Sequence, residues 1–237
     1  MVVRFSSETF RAFEDRAADD WAIRAARSLR STFPLHYDAM GASEAELTQL
    51  TRDVAAWAGG YGVKGDADVS RLCIVSVALG HRFWQDPRFQ GYVAASLGNT
   101  SLHASRRAQA MVRSAKEWLR RLWTNDGMDG FARRLTTAIR QGARPDVTTI
   151  GHILPGHRRL FSAADNERLI GLVLERAPTA LGHSAPQRLA HVSCALIHGV
   201  TWLDDPQYPR LRAAVLEAND AAALADDIAT IYAEAVA

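Results

Sequence analysis

The chain has 237 residues, 48% hydrophobic and 23% charged, with a net charge of +2. That balance excludes intrinsic disorder, and the length suffices to bury about 70% of the unfolded surface. The longest apolar run, within LCIVSVALG, is too short to span a bilayer, and the N-terminal MVVRFSSETFRAFEDRAADDW meets acids before any long apolar stretch, so neither a membrane span nor a secretory leader is expected.

Taken in chain order, apolar residues recur at helical spacing nearly everywhere, and no stretch alternates as a strand with hairpin chemistry would. Phe10, Phe13, Ala17 and Trp21 form a first stripe; Leu47, Leu50, Val54 and Trp57 form a second. Ser43 and Glu46 open that second helix as a capping box, in which each side chain satisfies the other's free backbone N–H. GYGVKG at 60–65 matches G-x-G-x-x-G, but helix rather than strand precedes it, so an interhelical turn is expected instead of a dinucleotide site. The next helix is expected from Asp66 to about Trp84, passing Cys73. Asp86 then reads as an N-cap with Pro87 at the first helical position.

The segment that follows is the most charged. Residues 106–144 carry a net +7, and RRAQAMVRSAKEWLRRLW places Arg106, Arg113, Lys116 and Arg120 in one cationic stripe, next to apolar Ala110, Trp118 and Leu122. The stripe reads first as a solvated helix face, then as a site for a partner protein, and last as a phosphate-binding surface. Pairing with the acidic end of the chain, net −5 from Asp204 onward, is a further option. His152 and His157 then flank a Pro-Gly turn in GHILPGH; they offer an acid–base pair, although His36 in the matching loop of the first half favours a turn role.

From here the chain repeats itself. LGHRFWQDPRF at 79–89 returns as HGVTWLDDPQY at 198–208, so Gly199, Asp205 and Pro206 each lie 119 residues after Gly80, Asp86 and Pro87. Ser162 with Asp165 keeps the same offset from Ser43 with Glu46, and Ser184-x-x-Gln187 opens the counterpart of the Asp66 helix. FPLH at 33–36 faces LPGH at 154–157, two residues out of step. The expected fold is therefore all-α: a tandem duplication of a four- to five-helix module, with boundaries at 1–118 and 119–237. Gly80 and Gly199 are placed about one turn before helix ends, where a missing side chain admits another helix. Phe83, Trp84 and Trp202 close the module ends, with a partner groove as the other reading.

His191, Cys194 and His198 fall on one helical face and make a competent zinc set with one open position. Their counterparts 119 residues earlier are Leu72, Val75 and Leu79, so a packed face with hydrogen-bonded rings is expected in preference to metal. The two cysteines predict reduced thiols in a cytoplasmic protein. No nucleophile elbow, Walker sequence or paired-carboxylate motif is present, which leads to the expectation of a non-enzymatic protein without cofactor.

Residues 61–89, YGVKGDADVSRLCIVSVALGHRFWQDPRF, carry a family pattern through Tyr61, Gly62, Val63, Asp68, Val69, Leu79, Gly80, Phe83, Asp86 and Pro87. With LRSTFP at 29–34, the stretch from about residue 10 to 95 resembles small helical bacterial proteins encoded beside the spike components (VgrG and PAAR-type tips) of type VI secretion systems. The resemblance implies an accessory adaptor or co-chaperone that loads a secreted effector onto the spike, with a protein partner and no catalytic residues. The second half departs from the pattern, with Ala180-Leu181 for Tyr61-Gly62 and Gln187-Arg188 for Asp68-Val69. An immunity protein against a cognate toxin is the alternative, and a nucleic-acid-binding protein acting through 106–144 is the third reading.

Overall fold

The computed structural model describes residues 7–182 and 184–236, with side chains from residue 15 onward. The Phe10 and Phe13 part of the first expected stripe therefore lies outside the described side chains. The described residues form thirteen α-helices, three short 3-10 turns and no strand, as the periodicity predicts. No helix among them is long and apolar enough to cross a membrane.

The first half runs α1 (Ser7–Thr32), α2 (Pro34–Met40), α3 (Glu44–Gly60), α4 (Asp66–Leu79), α5 (Gln90–Ser96) and α6 (Ala104–Leu122). The second runs α7 (Gly127–Arg140), α8 (Val147–Ile153), α9 (His157–Leu160), α10 (Ala163–Glu175), α11 (Ala185–His198), α12 (Pro209–Glu217) and α13 (Ala221–Val236). Local chemistry sets several starts. Ser43 accepts from Glu46 N at 3.2 Å while Glu46 Oε2 accepts from Ser43 N at 2.8 Å, the full capping box. Ser162 accepts from Asp165 N at 3.1 Å, and its hydroxyl donates to the shorter Asp165 side chain at 2.6 Å. Ser184 occupies an N-cap without a side-chain bond, and Gln187 does not close a box; its amide donates instead to Val215 O at the end of α12.

Both halves then enter the repeated segment with the same backbone. Gly80 ends α4 at φ 98°, ψ 152°, and Gly199 ends α11 at φ 98°, ψ 151°. The glycines are thus C-caps in a conformation that L side chains rarely adopt, rather than residues one turn inside a helix. Each is followed by a 3-10 turn, at Phe83–Gln85 and Trp202–Asp204. Asp86 is not an N-cap either: it closes the 3-10 turn, α5 starts only at Gln90, and the carboxylate turns inward.

The two segments face each other. A Cβ on Gly80 would sit 1.8 Å from His198 O, and one on Gly199 would sit 3.2 Å from Leu79 O. Across this contact Asp86 Oδ2 accepts from Val200 N at 3.1 Å, and Asp205 Oδ2 accepts from His81 N at 2.6 Å. Arg88 donates to Leu196 O and Ala195 O at 2.6 and 3.0 Å, and Gln207, 119 residues later, donates to Ser76 O at 3.1 Å. Each half therefore donates to carbonyls in the last turn of the other half's helix, adding to the glycine N–H bonds that Ser76 O and Ala195 O already accept. Such reciprocity between equivalent atoms is the pattern of an isologous contact.

Buried apolar side chains gather into two clusters, one from 26–118 and the other from 131–232. The halves exchange material: Met40 of α2 enters the second cluster, while Leu160 and Phe161 pack on the first. Equivalence fails at the leading helices. α1 lies along α3, whereas α7 lies along α13 and also covers α11. Hence α11 is buried from Leu189 through its end, while Ile74 on α4 is 44% exposed.

Candidate interaction surface

The chemistry-bearing groups singled out above divide between interior and surface. His191, Cys194 and His198 are all buried, and hydrogen bonds to other helices hold each of them. His191 Nδ1 accepts from Trp202 Nε1 at 3.1 Å, which leaves its Nε2–H facing Val173 O at 3.3 Å. His198 Nε2 stands 2.7 Å from the Tyr232 hydroxyl, and Cys194 Sγ lies 3.9 Å from the same oxygen. Burial lowers the His198 pKa to about 3 and raises the Cys194 thiol to about 12. Burial and these bonds to neighbouring elements make the three side chains part of a packed face. Among the described residues no cluster of three or more His, Cys, Asp or Glu is arranged to hold a metal ion.

His157 is buried, with Nδ1 2.6 Å from Asn166 Oδ1, and burial brings its pKa down to about 4. His152 is exposed on α8, so the two histidines of GHILPGH are split between interior and solvent. GYGVKG forms the turn between α3 and α4, with Gly62 at φ 70°. Arg107 fixes that turn by donating to Tyr61 O and Leu97 O, both at 2.8 Å, so this member of the basic segment is a buried clamp.

Phe83 and Trp202 are 1% and 0% exposed and lie inside the two apolar clusters, so neither offers surface to a partner. Trp84 is half-buried, stacked on Trp57 at 4.4 Å and 9°. The surface candidates that remain are on α6. Ala108, Met111, Ala115, Trp118 and Leu122 turn inward, and the opposite face carries Arg106, Gln109, Arg113, Lys116 and Arg120, all exposed. Their spacings of three and four make one straight ridge. Arg120 pairs with Glu117 at 2.8 Å; Arg106, Arg113 and Lys116 have no acidic partner among the described residues. The acidic tail does not serve this ridge: Asp226 pairs with Arg140, and Glu234 pairs with Arg210.

The ridge ends in an open cleft of about 630 Å³ that sequence reasoning did not anticipate. Its walls are Arg120, Arg121, Trp123, Asn125 and Arg159, with Asp126 at its floor. Asp126 is held by Arg134 and by the Thr124 hydroxyl, bonds that lower its pKa. Gly156 makes the cleft possible, because a Cβ there would sit 1.8 Å from Leu122 O, so only glycine lets α9 seat on the end of α6 with Arg159 alongside. The sequence signals are the paired arginines of LRRLW and HRRL, but their meeting depends on that close approach.

Comparison with protein-family models, with curated proteins and with solved structures gives no match.

Proposed function

We propose that the chain is a non-enzymatic binding protein built from two copies of one helical module, acting in the cytoplasm as a type VI secretion adaptor or co-chaperone that loads an effector onto the spike. The observation that carries the binding reading is a division of labour. Asp86, His157, His191, Cys194, His198 and Asp205 are buried and bonded internally, while Arg106, Arg113 and Lys116 of α6 stand on the outside with no acidic partner among the described residues. A ridge of fixed, exposed charge steers and orients a complementary partner. The assignment to secretion rests on the resemblance carried by residues 61–89. The equal backbone of the two glycine–aspartate segments and their reciprocal bonds support the duplication.

The test is co-expression with the spike component and the effector encoded beside it. Co-purification with both, and loss of soluble effector when the chain is omitted, is the expected result. A complex with a neighbouring toxin alone, accompanied by silencing of that toxin, overturns the adaptor role in favour of immunity. Salt-labile nucleic acid as the sole companion overturns both.

A further inference from the structure

We infer that the α6 ridge and the arginine cleft at its end form one docking surface for an acidic, amphipathic helix of a partner protein, with the cleft anchoring a cluster of the partner's carboxylates. This rests on the binding reading above and adds the location and chemistry of the partner. Arg121 and Arg159 are exposed and, like Arg106, Arg113 and Lys116, have no acidic partner among the described residues. These cations line a run of about 22 Å along α6 from Arg106 to Arg121, at 1.5 Å per residue. The three-and-four spacing is the one a second helix presents in return.

Among the α13 carboxylates, Asp226 and Glu234 already hold cations of their own chain, so that helix of a second copy has only Asp227 to offer the ridge. Val112 and Leu119 lie half-buried next to the cations, which gives an apolar edge that a phosphodiester chain cannot use and an amphipathic helix can.

The probe is a fluorescein-labelled helical peptide of about twenty residues, with Glu and Leu at three-and-four spacing. Anisotropy at low salt is expected to show binding that Arg121→Glu/Arg159→Glu weakens by about tenfold or more, because each reversal turns an attractive pair into a repulsive one. Arg24→Glu/Arg176→Glu, an equal charge change on exposed residues of α1 and at the end of α10, should stay within about twofold of wild type. All four side chains are exposed, and unchanged circular dichroism confirms the fold of each variant. Equal losses in the two double variants overturn the proposal, as does a DNA duplex that outcompetes the peptide. If Arg121→Glu/Arg159→Glu still co-purifies fully with the effector, the docking surface is wrong and the adaptor reading stands. If wild type binds the peptide but captures neither effector nor spike, the adaptor reading falls and the surface stands.

Discussion

Asp86 and Asp205 occupy equivalent places in the two glycine–aspartate segments, yet they are neutralised differently. Asp86 is bracketed by the Arg88 guanidinium, 2.6 Å at its nearest and itself stacked 5.2 Å from the Phe89 ring centroid. Burial would raise the Asp86 pKa, but the charge and hydrogen bonds of Arg88 outweigh it and the net shift is downward. At Asp205 the place of arginine is taken by Gln207, whose side chain donates at 3.2 Å. Burial then prevails over the N–H bonds from His81 and Gln207, and the pKa rises to about 7. One backbone design thus holds an ion pair on one side and, on the other, a carboxyl that takes up a proton far more readily than usual. Hydrogen-bond geometry alone fixes the joint; charge compensation is an independent choice made by the residue two positions on.

The joint itself breaks most readily at glycine. Gly80→Leu adds a Cβ that would overlap His198 O and forces a positive φ on a side chain; we expect a loss of more than about 4 kcal/mol, or failure to fold, in urea titration. Gly199→Ala meets its nearest atom at 3.2 Å, so mainly the φ strain remains, about 1–3 kcal/mol. Equal tolerance of both would contradict the close approach.

Removing the cation comes next. Arg88→Met leaves Asp86 buried and uncompensated and strips Leu196 O of its donor, a loss of about 3–5 kcal/mol by chemical denaturation. The counterpart change, Gln207→Leu, removes only neutral hydrogen bonds, and its smaller cost appears with the least effects below.

The carboxyl difference is read by pH. Asp205 has a folded pKa near 7 against about 3.9 when unfolded, so the folded state holds the extra proton between those values and stability falls as pH rises through that window. Asp205→Asn removes the ionisation and with it this fall, although its NH2 replaces an oxygen that accepts from His81 N or Gln207 N. It should cost about 1–3 kcal/mol at pH 4 and improve relative to wild type by on the order of a few kcal/mol by pH 7 to 8 in paired urea titrations; a difference independent of pH would show that Asp205 stays ionised. The buried histidines act oppositely. His36, His81 and His157 are lowered to about 4 and His198 to about 3 by burial, so their contribution is complete above about pH 6.5 and is lost as pH falls toward those values. The acid limb should therefore be steeper in Asp205→Asn than in wild type.

The smallest effect is the Gln207→Leu change, about 1–2 kcal/mol, because Asp205 keeps its two backbone donors. A loss matching that of Arg88→Met would mean that Gln207 compensates Asp205 as strongly as an ion would.

Helical class, the Ser43–Glu46 capping box and the equivalence of the two glycine–aspartate segments were legible because each depends on short-range chemistry: apolar period, an N-cap side chain, a glycine before a polar turn. The inward turn of Asp86 and the clamp made by Arg107 were not, since their partners lie far away in sequence. The four α6 cations were visible as a stripe, and their cleft partner Arg159 was not, because it arrives only when Gly156 lets α9 close on α6.

By itself, then, the sequence determined the helical class, the starts of α3, α4 and α10, and the fact that one glycine–aspartate segment is written twice, because propensity and capping act over three or four residues. Tertiary structure alone decided that those segments face each other, that α1 and α7 take different neighbours, and that the basic segment splits into a buried clamp and a free ridge. Those outcomes depend on which surfaces meet and exclude water, which no local pattern encodes.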